Sequence, residues 1–298
     1  MEKKESSLTT EVLAEVEKKE SSSTNDRKEK MREEKISING LEINYKIHSP
    51  LIWKKGSCVL ILHGWGGTSD SWNRVQKILA KQGYRVIVPD FPGFGKSKTP
   101  PIPWGIEDYA NFVNEFIKKI RGDINEPFFL LGHSFGGRIA VKFAVTEPER
   151  IKGLILCDAA GIKPKPGFKT RLIFTLARIG NAVFTPKILA RFKDGARNLF
   201  YIFLRKRDYM KADDTMKETI KKVLREDLLP ELPQIKSKTL LIWGEIDKLV
   251  PLKYGYIFKE KIINSELIIL PKIGHSPHLE VPKKLAEIIL DFLNLKRN

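Results

Sequence analysis

The 298-residue chain contains only two cysteines, four methionines and five histidines. Cys58 and Cys157 both fall in apolar, strand-like runs. They therefore read as buried thiols, which excludes a disulfide framework and fits a reducing compartment. No set of cysteines and histidines has zinc-ligand spacing, no G-x-x-x-x-G-K-[ST] loop occurs, and no dinucleotide glycine fingerprint follows a strand. Nothing points to a bound metal or nucleotide, and no cofactor is expected. Long apolar runs are also missing. Leu199-Phe200-Tyr201-Ile202-Phe203-Leu204 is the longest conspicuous one, far short of the roughly 18 residues that begin to suggest a bilayer span. The segment Met1-Glu2-Lys3-Lys4-Glu5-Ser6-Ser7 has none of the apolar character of a signal peptide. A cytoplasmic protein without an integral membrane segment is expected.

Acidic residues are the minority, 36 against 53 lysines and arginines, for a net charge of +17. The excess is greatest over residues 162–235, with seventeen basic and eight acidic side chains. The lysines are scattered rather than interleaved with an aromatic stacking platform, and no nucleic-acid motif is present, so no nucleic-acid partner is expected. Most of the excess reads as a lysine-rich solvated surface. Attraction to anionic substrates, or peripheral contact with an anionic membrane surface, is the functional reading of the rest.

Residues 1–34 are dominated by Lys, Glu and Ser, have no aromatics, and repeat Glu2-Lys3-Lys4-Glu5-Ser6-Ser7 as Glu17-Lys18-Lys19-Glu20-Ser21-Ser22. This composition predicts a disordered or transiently helical tail ahead of a domain spanning 35–298. Ile36–Ile47 alternates like a hairpin turning at Asn39-Gly40. Strand patterns follow at 57–62, 84–89, 127–132, 151–157, 238–243 and 265–270. Helical patterns lie between them, near 69–81, 106–121, 135–146, 252–262 and 282–294. That alternation predicts an α/β fold: a mostly parallel twisted sheet of about eight strands with helices on both faces. Residues 161–235 are too long for one connection. Leu172, Leu176 and Ile179, then Met216, Ile220 and Leu224, recur at helical spacing, which predicts a helical cap inserted between two strands.

Chemistry concentrates where strands end. Ser134 lies in Gly132-His133-Ser134-Phe135-Gly136-Gly137, between the apolar run Pro127–Leu131 and a helical pattern through Ile139, Ala140, Phe143 and Ala144. A serine with glycines at ±2 in a strand–turn–helix context is a nucleophile elbow, with the helix N-terminus aimed at the reacting centre. The strand 57–62 runs into His63-Gly64-Trp65-Gly66-Gly67, where this architecture places an oxyanion donor. The backbone N–H groups of Trp65 and Phe135 are the expected pair. The run Thr239–Trp243 leads into Gly244-Glu245-Ile246-Asp247, and Leu267–Leu270 leads into Gly274-His275-Ser276-Pro277-His278. Acid and base candidates thus each follow a strand, in the order Ser, Asp, His.

With these motifs and Pro89-Asp90-Phe91-Pro92-Gly93-Phe94-Gly95-Lys96-Ser97, the chain over residues 36–298 resembles the α/β-hydrolase superfamily, in particular its cap-bearing serine hydrolases. The resemblance implies a Ser134–His275–Asp247 triad. Asp158, after the strand 151–157, is the rival acid, because some members take it from that strand end; Glu245 is also nearby. His63 and His133 are expected to brace the oxyanion turn and the elbow, His278 to pack beside His275, and Asp90 to tie its own loop together. Aspartate stands at the Ser134 position in dehalogenases and epoxide hydrolases of the superfamily, so those activities are disfavoured. A basic cap is poorly suited to holding the substrate amine of a proline iminopeptidase.

The resulting expectation is a carboxylesterase acting through an acyl-enzyme on small to medium hydrophobic esters, with Phe200 and Phe203 of the cap contributing to the substrate pocket. The alternative is a C–C bond hydrolase of ring-cleavage products, which shares triad and cap but commonly carries asparagine where His133 stands. A non-catalytic ligand-binding protein on the same fold would instead have a broken triad or an occluded site.

Overall fold

The alternation around Ile36–Ile47 folds as a hairpin, with β1 (Lys30–Ile38) and β2 (Leu41–Ser49) paired antiparallel. Asn39 and Gly40 at its tip have φ of 49° and 81°, a left-handed pair that asparagine and glycine tolerate best. The computed structural model describes residues 30–50, 57–124, 127–163 and 213–294. Residues 30–34 belong to the sheet rather than to the charged tail: they pair with Ser49 back to Tyr45 of β2. Composition misassigns them because an edge strand is itself rich in charge. Residues 1–29 lie outside the described residues.

Six strands run parallel: β3 (Cys58–Leu62), β4 (Arg85–Pro89), β5 (Phe128–His133), β6 (Ile151–Cys157), β7 (Thr239–Gly244) and β8 (Ser265–Leu270). The sheet order is β1-β2-β4-β3-β5-β6-β7-β8, and β2 meets β4 antiparallel. The helices are α1 (Asn73–Lys81), α2 (Ile106–Lys119), α3 (Phe135–Thr146), α4 (Asp214–Arg225), α5 (Lys253–Lys261) and α6 (Pro282–Asn294). Alternate residues of the central strands enter separate cores. Leu60, Leu62, Leu130 and Leu241 pack on one face with Val113 of α2 and Ile139 of α3. Val59, Ile61, Leu131 and Ile242 pack on the other with Val75 of α1 and Ile289 of α6. Both faces are covered, which is why these strands read as continuous apolar runs. Each such buried side chain contributes roughly 1.5–3 kcal/mol.

The chain leaves β3 toward β4 on one side and returns to β5 on the other, making a switch point whose crevice opens beyond the carboxyl ends of the strands. Between β6 and β7 the helical spacing forms α4, capped by Asp213, whose Oδ1 accepts the Met216 amide (2.8 Å). Its buried stripe is Met216, Ile220 and Val223. Val223 takes the place expected of Leu224, since i, i+4, i+7 aligns more closely along one face. Arg138 of α3 ties α4 down by donating to the carbonyls of Val223 (3.3 Å) and Glu226 (3.2 Å). Residues 164–212, which hold the rest of the expected cap, lie outside the described residues. Cys58 and Cys157 are buried and not joined in a disulfide. No helix among the described residues is long and apolar enough to cross a membrane.

Candidate active site

The turn from β5 into α3 is possible only with glycine on both sides of the serine. A Cβ on Gly132 would stand 2.5 Å from the Gly136 carbonyl oxygen, and one on Gly136 would stand 2.1 Å from the carbonyl oxygen of Leu62. Ser134 itself has φ 51° and ψ −112°, a strained backbone for a residue with a side chain. Bonds on both sides hold it there: its N–H donates to the Cys157 carbonyl (3.1 Å), and its carbonyl accepts from Ala160 (3.1 Å).

The side chains expected from the three strand ends converge. Ser134 Oγ lies 2.9 Å from His275 Nε2, and His275 Nδ1 lies 2.7 Å from Asp247 Oδ2. A carboxylate accepts only, so Nδ1 carries the hydrogen and Nε2 is left to accept from the serine hydroxyl. The Asp247 side chain is fully buried. Its other oxygen, Oδ1, accepts the amides of Leu249 (2.7 Å) and Val250 (2.9 Å), which fixes the plane of the carboxylate. A hydroxyl, an imidazole and a fixed carboxylate in this sequence can move a proton off the oxygen as it attacks an electrophile.

Other acidic groups near the relay have different partners. Glu245 is turned away to the amide of Lys272 (2.8 Å). Asp158 is fully buried and accepts the Gly244 amide on Oδ1 (2.8 Å). Burial pushes its carboxyl well above the usual carboxylate range, reinforced by the Asp247 charge. One ligating atom from each of Asp158, Asp247 and His275 lies within 4.8 Å of the others. The cluster does not fit a metal, because His275 Nδ1 and both Asp247 oxygens are already engaged in N–H···O bonds.

The loop carrying His275 is clamped from two directions. The carboxylate of Glu280, in the short helical turn Pro277–Glu280, accepts the amides of Gly274 (3.0 Å) and Ser276 (3.1 Å). From below, the Nε2–H of His133 donates to the His275 carbonyl (2.8 Å). His133 therefore braces the base loop, whereas the sequence suggested only the elbow. Burial and the neighbouring imidazoles keep His133 neutral, well below the usual histidine range. His278 stacks on Trp72, with ring centroids 4.5 Å apart. Glu280 was not anticipated; the available signal was an acidic residue in a turn directly after a loop with unpaired amides.

His63 supports the opposite wall. Its Nε2 accepts the Phe91 amide (2.9 Å), so Nδ1–H donates to the Gly64 carbonyl (2.8 Å), and burial keeps the ring neutral. Asp90 ties its loop as expected, accepting from Ser69 (2.6 Å), Lys96 (3.0 Å) and the Asn44 side chain (3.0 Å). The Gly64–Gly67 turn closes through a 3.0 Å bond and runs against the serine, a Cβ on Gly64 falling 3.3 Å from Ser134 Cβ. Trp65 sits on this turn and packs edge-on against Phe135 (5.3 Å). Phe135 is the first residue of α3, so its N–H has no partner within the helix. A cleft of about 480 Å³ opens here, lined by Trp65, Ser134, Leu249, His275 and Leu279 among the described residues. That volume suits a small molecule. Phe200 and Phe203 lie outside the described residues.

A sequence model for the alpha/beta hydrolase fold matches residues 58–282. The chain belongs to the alpha/beta hydrolase family. It is similar to a 2-hydroxy-6-oxo-6-phenylhexa-2,4-dienoate hydrolase of Burkholderia cepacia, 28% identical over 277 residues that cover 87% of this chain and 94% of that one. It is also similar to a pimeloyl-acyl-carrier-protein methyl ester esterase of Shewanella woodyi, 26% identical over 256 residues that cover 80% of this chain and 95% of the other. Among solved structures, one described as a membrane phospholipase A matches with a TM-score of 0.69 and 26% identity, covering 98% of this chain and 93% of that chain. The protein is accordingly a hydrolase.

Proposed function

We propose that Ser134 is the nucleophile, His275 the general base and Asp247 the acid of a carboxylic ester hydrolase acting on small to medium hydrophobic esters. The observation that carries this reading is the unbroken hydrogen-bonded path from Ser134 Oγ through His275 to Asp247, at 2.9 and 2.7 Å. As Ser134 Oγ bonds to the acyl carbon, its proton passes to His275 Nε2, and the imidazolium formed is stabilised by Asp247. The carbonyl oxygen takes up the displaced electron pair, and the amides of Trp65 and Phe135 donate to it. One such donor is worth roughly 3–4 kcal/mol in the transition state. His275 then gives its proton to the departing alkoxide. Water, deprotonated by the same nitrogen, releases the acid and restores the serine.

The second reading is hydrolysis of a C–C bond in a vinylogous 1,5-diketone, favoured by the likeness to the Burkholderia cepacia hydrolase over 87% of this chain. The same relay can serve it. The ester reading is preferred because His133 is spent on the His275 carbonyl, leaving no amide side chain at the position where C–C hydrolases commonly carry asparagine. The test is labelling with a fluorophosphonate, followed by kinetics on p-nitrophenyl esters of graded length beside a vinylogous 1,5-diketone. The adduct is expected on Ser134 alone, with turnover of esters exceeding that of the diketone. An adduct on another residue, or a Ser134→Ala protein that still labels, refutes the mechanism. Preferential cleavage of the diketone selects the second reading.

A further inference from the structure

Asp158 is a buried acid that the triad does not use. It directly follows β6, the neighbour of β7, and its backbone sits at φ 43°, held by a 2.9 Å bond from its N–H to the Ile242 carbonyl. Adjacent parallel strands in register, Cys157 opposite Ile242, bring its side chain to the back of the Asp247–His275 pair. Two carboxyl groups this close in a dry site cannot both carry charge. The donors decide which one does. Asp247 receives three N–H groups, from Leu249, Val250 and His275. Asp158 receives one N–H, from Gly244 on Oδ1 (2.8 Å), and on Oδ2 only the weak S–H donor of Cys157 (3.7 Å). Both Asp247 oxygens already face N–H donors and have no place for a hydrogen of their own, whereas Asp158 Oδ2 can bear one.

We propose that Asp158 is a protonated positioning residue whose carboxylic O–H donates to Asp247 and fixes the carboxylate that orients His275. This rests on the reading of Asp247 as the triad acid. A neutral donor suits the place better than a second carboxylate. A further negative charge there would stabilise the imidazolium in the resting enzyme and take the base out of use. The thiol of Cys157 is no competitor for the proton position, since burial and Asp158 itself push it up and keep it as S–H. The titratable groups facing Asp158 among the described residues are thus Cys157 on its own strand, Asp247 from the loop after β7 and His275 from the loop after β8.

The test uses the full-length chain and reads both protonation and rate. Infrared difference spectra of the wild type against Asp158→Asn, in H₂O and D₂O, should show the C=O stretch of a protonated buried carboxyl that shifts on deuteration and is lost in the variant. Asp158→Asn keeps a donor for Asp247 and an acceptor for Gly244, so kcat should fall about threefold. Asp158→Ala removes a hydrogen bond to a charged group, and kcat should fall roughly 10- to 100-fold. The downfield NMR signal of the His275 Nδ1–H should move in Asp158→Ala and stay nearly in place in Asp158→Asn, a rescue that a purely structural role would not produce. Absence of the protonated-carboxyl band, or its persistence in Asp158→Asn, overturns the proposal even if Asp247→Asn proves crippling. A harmless Asp247→Asn would overturn the triad reading beneath it, and this inference with it.

Discussion

Replacing Asp247 by asparagine should disable the enzyme by reversing one proton. In the wild type, Oδ1 of Asp247 accepts two backbone amides and Oδ2 accepts the Nδ1–H of His275 at 2.7 Å. Asparagine has one carbonyl oxygen, and the two amides of Leu249 and Val250 will claim it, because an NH₂ pointed at them would leave three donors facing one another. The NH₂ then faces His275, whose Nδ1 must become the acceptor. The ring hydrogen moves to Nε2, where it points at Ser134 Oγ across 2.9 Å. The base is blocked by its own proton. The same reversal in the serine-protease triad costs about 10⁴ in kcat, roughly 5 kcal/mol of barrier, and the backbone bonds that enforce it here argue for a similar loss. The assay is stopped-flow hydrolysis of a p-nitrophenyl ester, paired with the second-order rate of fluorophosphonate inactivation; both should fall together. Thermal unfolding should move little, since the amide keeps the two backbone bonds. A variant within tenfold of wild type, or an Asp158→Asn protein that is the more damaged of the two, would show the acid to be on the wrong strand end.

Two further outcomes are expected. Phe200→Ala or Phe203→Ala should shift the ester chain length that maximises kcat/KM, by up to a few-fold per carbon at about 0.8 kcal/mol per buried CH₂, while labelling of Ser134 persists; a chain-length profile unmoved by both would place the pocket elsewhere. Stability should depend on pH with two opposite signs. His63 and His133 sit below their unfolded value, so they resist protonation in the fold, and their share of stability is lost as pH falls below about 6.5. Asp158 sits above its unfolded value, so its share is full below about pH 3.9 and is lost as pH rises, by at most about 1.4 kcal/mol per unit. Urea unfolding at pH 5 and pH 8 should therefore show Asp158→Asn gaining on the wild type at the higher pH, and a constant difference between the two would contradict the buried proton.

The sheet was legible from sequence because its strands are covered on both faces. Runs such as Cys58–Leu62 and Phe128–Leu131 have no polar residue to interrupt them, and glycine or proline marks most of their ends. The relay was legible for a related reason: each member follows a strand, and the glycines beside Ser134 are sterically obligatory. What stayed hidden depends on contacts between loops that are distant in sequence. Nothing in the local pattern says that His133 reaches the carbonyl of His275, 142 residues away. Nor does the pattern say that Glu280 folds back onto Gly274 and Ser276. Residues 30–34 mislead for the opposite reason. Their charge is a local signal, and the partner strand that overrides it comes later in the chain.

The hydrogen-bond pattern also separates what the sheet decides from what it leaves open. Ser134, Asp158, Asp247 and His275 are held from four adjacent strands, β5 to β8, by main-chain bonds and strand register. Little in that arrangement can respond to the substrate. On the proposed triad reading, activation of the serine is built into the core, at the cost of a strained residue and two buried carboxyl groups that only a rigid surround can maintain. Ester and C–C substrates make the same demand on this machinery, namely a carbonyl carbon within reach of Oγ and two amides for its oxygen. The choice between them falls to groups that touch the acyl and leaving portions. Of these, the walls offered by Trp65, Leu249 and Leu279 are apolar and carry no charge to recognise a substrate carboxylate. A ring-cleavage product ending in a carboxylate would have to find its cation elsewhere, in the strongly basic stretch between β6 and β7. A neutral ester needs none, which adds a second argument, beside the engagement of His133, for the ester reading we propose.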